Sequence, residues 1–89
     1  MPYIKKELRK IVDPTIDSLI EILQRHFDTK TMDGVLNYTI SRLILGLYPP
    51  KYFNYNRAIG VLECVKLEMY RAVIGLYEER KRLENGDIK

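Results

Sequence analysis

Nine side chains between residues 37 and 71 carry most of the chemical promise of the sequence: Asn37, Tyr38, Arg42, Tyr55, Arg57, Glu63, Lys66, Tyr70 and Arg71. Arginine offers a planar fork of donors that fits phosphate. Tyrosine offers a stacking face and a hydroxyl, and asparagine can read a base edge through both donor and acceptor. With Lys5 and Lys6 near the start, the set suits a phosphorylated, aromatic ligand. The competing reading is structural. Glu63 pairs with Lys66 or with an arginine of a neighbouring helix, and the tyrosines pack at core edges.

Catalytic chemistry is much less well supplied. No Gly-x-x-x-x-Gly-Lys stretch, dinucleotide fingerprint or His-Glu-x-x-His pair occurs. Cys64 has no histidine near it in sequence and reads as a buried small hydrophobe on a helix. His26 lies beside an apolar stripe, without the orienting partner that a triad needs. Glu63 and Glu68 are five apart on one helix and face different ways, which argues against a paired-carboxylate metal site. No catalytic residue, metal ligand or cofactor is assigned; Glu63 is the one fair candidate for a titratable group at work.

These residues depend on the helices that position them. The longest stretch, Asn56 to Leu83, reads as one helix of about seven turns. At 100° per residue, Ala58, Leu62, Val65, Met69, Ala72, Val73 and Leu76 fall on one side. Leu67 and Ile74 point almost opposite, with Gly60 near them to let another backbone approach. Glu63, Lys66, Tyr70 and Tyr77 form a polar band between the two faces. A helix with two apolar faces is covered on two sides, and Gly60, Leu67 and Ile74 mark an interface with a second copy. Singly exposed apolar residues are the plainer alternative.

Upstream, Ile4, Leu8 and Ile11 predict a short basic helix from Lys5 to Val12. Asp13-Pro14 predicts a fresh start, with Asp13 as cap and Pro14 as first helical residue. Ile16, Leu19, Ile20, Leu23 and Phe27 give that helix its stripe, and it should end near Asp28 to Thr31. A further helix is expected from Asp33-Gly34, with Leu36, Ile40, Leu43, Ile44 and Leu47 on its core face, stopped by Pro49-Pro50. Lys51 to Tyr55 is expected as an aromatic connector folding back over the helices, with Asn54 or Asn56 capping the last helix. Asn85-Gly86 ends it, and residues 85–89 form a tail.

Composition sets the bounds. Eighty-nine residues make one domain over 1–89, small enough that oligomerisation is a natural supplement to its core. A hydrophobic content of 46% and a charged content of 30% are those of a globular chain. No apolar run spans a bilayer, and the charged N-terminus does not read as a secretory signal. A lone cysteine gives no internal disulfide, so a reduced cytoplasm is expected. The net charge of +3 is concentrated in residues 1–12, the basic arm. So modest and local an excess argues against nucleic acid as the main partner.

Leu36-Asn37-Tyr38, Arg42-Leu43 and Tyr55 followed by the run from Asn56 to Glu68 resemble a family of short uncharacterised proteins of tailed bacteriophages and environmental prokaryotes. Pro2-Tyr3-Ile4, Tyr70-Arg71, Tyr77-Glu78 and Asn85-Gly86-Asp87 fit as well. The resemblance covers nearly the whole chain, and Arg57 to Glu68 is its specific part. The family pattern carries a second basic residue after the Tyr-Arg pair; Ala72 stands there, so a doubly basic site is not carried over. The resemblance implies a phage or prokaryotic setting and no assigned activity.

The sequence therefore predicts an all-α, oligomeric, antiparallel helical bundle of three main helices and a short N-terminal one. Its tightest core is expected from Leu19, Leu23, Leu36, Ile40, Leu43, Leu62, Val65 and Met69. The expected function is non-catalytic capture of a nucleotide-like anion, such as a host immune second messenger, where subunits of a homo-oligomer meet. The alternatives are a structural or protein-interaction module and a weak nucleic-acid binder using the basic arm.

Overall fold

A computed structural model describes residues 3–88 of the chain. Met1, Pro2 and Lys89 lie outside them, and with them the beginning of the expected arm and the last residue of the expected tail. The described residues are helical, with no strand among them. They divide into two compact units, one ending at Pro50 and one beginning at Lys51.

The first unit holds helix α1 (Lys6–His26) and helix α2 (Thr29–Leu47). The separate N-terminal helix predicted before Asp13-Pro14 does not exist as such. Residues 6–26 form one helix with Pro14 inside it. Pro14 has no N–H to give the Lys10 carbonyl and its ring crowds that oxygen, which ordinarily breaks a helix. Here the apolar stripe keeps its phase across the proline: Leu8, Ile11 and Val12 before it lead into Ile16, Leu19 and Leu23 after it. A helical break would have thrown the two halves onto different faces.

Helix α2 also starts earlier than expected, and its cap is Asp28 rather than Asp33. The Thr31 N–H donates to Asp28 Oδ1 at 3.1 Å, and the Thr31 hydroxyl donates to the same oxygen at 3.1 Å. These bonds satisfy one of the orphan donors of the first turn. They also hold the Asp28 carboxyl below its ordinary value of 3.8, the backbone bond from Thr31 contributing most. Only Phe27 and Asp28 separate the two helices, and α2 ends where the Tyr48 N–H returns to the Ile44 carbonyl at 3.0 Å.

The second unit is one continuous right-handed helical segment from Tyr52 to Asn85. It comprises helix α3 (Tyr52–Met69), a wide π-type turn (Tyr70–Ile74) and helix α4 (Gly75–Asn85). The expected aromatic connector is thus helical: Tyr52, Phe53 and Tyr55 form the first turn of α3, and Lys51 stands at the cap in place of Asn54 or Asn56. In the wide turn the Gly75 N–H bonds to the Tyr70 carbonyl five residues back. Gly75 is what permits it. A Cβ there would lie 2.8 Å from the Tyr70 carbonyl oxygen, closer than side chains come to backbone.

The wide turn holds one residue more than an α-turn and rotates everything after it by about 100°. Ile74, expected beside Leu67, consequently turns toward the side of Leu62 and Met69. It is half-buried, whereas Leu67 is exposed. Ala72 and Leu76, expected on the core side, are turned away from it, and Leu76 is 64% exposed. Downstream, Arg82 joins Glu79 and Asp87, and Gly86, at φ 91°, ends the helix in the left-handed region open to glycine.

The expected core is covered only in part. Leu19, Leu23, Ile40 and Leu62 are half-buried, while Leu36, Leu43, Val65 and Met69 are exposed. Ala58 is the one fully buried residue among those described. Helices are present where apolar periodicity placed them, and much of each apolar stripe is exposed.

Candidate functional site

Helix α2 builds the best-defined polar arrangement. Residues four apart lie one above the other on a helix, which puts Arg42 over Tyr38. The Arg42 Nη1 donates to the Tyr38 hydroxyl at 3.0 Å, and the guanidinium sits 5.9 Å from the centre of the Tyr38 ring. Because the phenol oxygen is the acceptor in this bond, its own O–H is left to donate elsewhere. The bond and the ring contact together orient the guanidinium plane.

Tyr38 also lines an open cleft of about 570 Å³ formed by the end of α1 and the first half of α2. Leu23, Phe27 and Val35 supply its apolar wall, and Lys30, Thr31, Tyr38 and Thr39 supply its polar atoms. Both threonine hydroxyls are already engaged, Thr31 with Asp28 and Thr39 with the Val35 carbonyl at 2.8 Å. The polar character of the rim therefore rests on the Lys30 ammonium and the Tyr38 hydroxyl, with Arg42 beyond. The volume is in the range of small-molecule pockets.

Among the residues singled out from sequence, Asn37 lies next to this pair. Its carbonyl accepts from the Ser41 hydroxyl at 2.8 Å and its side-chain oxygen lies 3.5 Å from the same hydroxyl. Lys5 stands at the cap of α1 and Lys6 is its first residue; neither lines the cleft. The remaining six belong to the second unit. Tyr55 and Arg57 are in the early turns of α3, where the Arg57 guanidinium sits 5.8 Å from the Phe53 ring. Glu63 and Lys66 pair with each other at 3.1 Å, both largely exposed. Tyr70 and Arg71 fall in the wide turn, and Arg71 pairs with Glu68 at 2.7 Å. Exposed pairs of this kind contribute little to stability.

Lys30 and Thr31 were not singled out as site residues, and Phe27 was read only as part of the α1 stripe. Their signal was the Asp28-Thr29-Lys30-Thr31 cap, which moves the start of α2 back by one turn and brings these side chains beside Tyr38. Of the residues expected at an interface, Gly60 and Leu67 lie on the exposed side of α3, and a Cβ at Gly60 would meet open space; Cys64, expected to be buried, is exposed as well. Among the described residues no group of three or more His, Cys, Asp or Glu side chains is placed to hold a metal ion. No helix is long and apolar enough to cross a membrane.

Residues 1–88 match the family described as "Domain of unknown function (DUF6899)", and the chain belongs to that family. No curated protein and no solved structure matches it.

Proposed function

We propose that this member of a family without an assigned activity is a homo-oligomeric binding protein that captures a nucleotide-like anion without turning it over. The observation that carries the reading is Tyr38, which lines the α1–α2 cleft and whose hydroxyl holds Arg42, a residue outside the lining itself. An aromatic face, an oriented guanidinium and a lysine beside an apolar wall match the parts of a nucleotide. A base stacks on Tyr38 against Phe27, while phosphate oxygens take Arg42, Lys30 and the Tyr38 O–H. A subunit junction closing over this open cleft completes the enclosure. The setting we propose is the cytoplasm of a prokaryotic host, as for a phage protein, with the host's cyclic nucleotide messengers as a natural ligand class.

Isothermal titration against cyclic dinucleotides, cyclic oligonucleotides and ADP-ribose derivatives tests this directly. Heat with at least one of them, lost in Arg42→Ala, is expected; no heat with any of them overturns the reading. A protein-interaction module is the second reading. It is favoured by the predominance of Leu23, Phe27 and Val35 in the cleft, which suits an apolar side chain of a partner as well as a base.

A further inference from the structure

The positive excess of the chain gathers where α1 begins. Lys5, Lys6, Arg9 and Lys10 stand there against Glu7. Among the described residues no carboxylate pairs with any of the four cations. Aliphatic side chains are interleaved with them. Leu8, Ile11 and Val12 recur at the spacing that puts them on one side of α1, and Ile4 precedes the helix. All four are exposed, Ile11 by 69%. Arg9 lies at the edge of that side, 5.9 Å from the centre of the exposed Tyr3 ring, and Lys6 and Lys10 stand opposite. Helix α2 meets the far end of α1, where Leu23 and Phe27 line the cleft. Residues 5–10 cover about 8 Å of helix axis, one Debye length at physiological salt. A charged surface that receives Ile4 and Leu8 therefore attracts all four cations.

We infer that the start of α1 docks on the anionic surface of a lipid bilayer. Its aliphatic side chains enter the boundary between headgroups and acyl chains, and its cations face the headgroup phosphates. No helix here can cross a membrane, but lying on one needs only an amphipathic basic segment, and tyrosine is favoured at headgroup level. Charge identifies the occupant. Residues 51–89 hold eight basic and six acidic residues. Five of those acids, Glu63, Glu68, Glu79, Glu84 and Asp87, already pair with a cation of their own segment. The second unit thus offers the four cations no negative surface, and a second copy brings the same net charge of +3. Single-stranded nucleic acid would meet the cations but leave the aliphatic side chains uncovered, whereas an anionic bilayer meets both. Asp13, Asp17 and Glu21 follow on the polar side of α1 and confine the docking to its first turns. The inference depends neither on the α1–α2 cleft nor on an oligomer.

Co-sedimentation of the full chain with lipid vesicles tests it. Binding to phosphatidylcholine vesicles containing about one-third phosphatidylglycerol is expected, falling steeply as salt rises, with little binding to phosphatidylcholine alone. No binding to the anionic vesicles, or equal binding to both, overturns the inference. Lys5→Gln, Lys6→Gln is expected to weaken binding about 20- to 30-fold, at roughly fivefold per cation, with unchanged helix content by circular dichroism. Unchanged affinity overturns the inference. The chain has no tryptophan, so Leu8→Trp reports on the aliphatic side by itself. Its fluorescence is expected to shift to the blue with anionic vesicles, and binding without a shift overturns the inference. So does binding of a single-stranded RNA oligonucleotide by a chain that shows no shift on vesicles.

Discussion

At the scale of single residues, two hydrogen-bonded pairs on α2 carry different burdens. Asp28 is structural: its carboxylate takes both Thr31 donors and starts the helix. Its carboxyl lies below 3.8 in the folded chain, so its contribution is fully present above the unfolded value and is lost as pH falls through the folded one. Neutral and mildly acidic solutions should leave the start of α2 intact, and only pH below the ordinary carboxylate range should loosen it. Asp28→Ala should remove that acid-dependent component and lower the thermal midpoint at pH 7, which thermal melts across pH can establish. Arg42 carries the other burden. It is exposed and bonds Tyr38 along the surface of one helix, so its removal should change stability by no more than about 0.5 kcal/mol. A charge-assisted contact to phosphate is worth roughly 1.5–3 kcal/mol, so the same change should weaken nucleotide binding by about 10- to 150-fold. Paired melts and titrations of Arg42→Ala separate the two effects.

At the scale of elements, the interesting positions are those where local rules were overruled or hidden. Asp13-Pro14 is a strong helix start in isolation, yet α1 runs through it. The phase of the stripe from Leu8 to Leu23 outranked the proline, and that phase was legible in the sequence had the two halves been read together. Asp33 was read as the start of α2, whereas the cap is Asp28, whose carboxylate takes both Thr31 donors. The wide turn was not legible, because stepping at 100° per residue presumes that no turn holds an extra residue. Gly75 was its only trace, and glycines within helices have many causes. Hence Ile74 was set beside Leu67, and the helix, expected over Asn56 to Leu83, runs longer, from Tyr52 to Asn85. Two substitutions probe these features. Pro14→Ala restores an N–H for the Lys10 carbonyl and should raise stability, by up to about 3 kcal/mol. Gly75→Ala would ordinarily gain about 1 kcal/mol from helix propensity. Here the added Cβ meets the Tyr70 carbonyl at 2.8 Å, so the expected result is a net loss of about 1–3 kcal/mol. Denaturant titration of both variants checks the opposite signs.

At the scale of the whole molecule, much of the apolar stripe of each helix is exposed. Leu36, Leu43, Val65 and Met69 remain exposed although each sits on the face its periodicity assigns to a core. Burial of such side chains is the dominant favourable term in folding, at roughly 1.5–3 kcal/mol each, while ordering the backbone costs about 1–2 kcal/mol per residue. A chain that leaves so many of them exposed has little to set against that cost, and the homo-oligomer we propose would supply the missing burial. Its stability should therefore depend on its concentration, because dissociation and unfolding become one equilibrium. For a dimer that unfolds to two free chains, tenfold dilution removes about 1.4 kcal/mol of stability. Spread over the unfolding entropy of two 89-residue chains, this lowers the thermal midpoint by about 3–5 °C. Differential scanning calorimetry at several concentrations should show the midpoint rising steadily with the logarithm of concentration. A midpoint independent of concentration would show that one chain is stable by itself, and the exposed stripes would then need an explanation other than self-assembly.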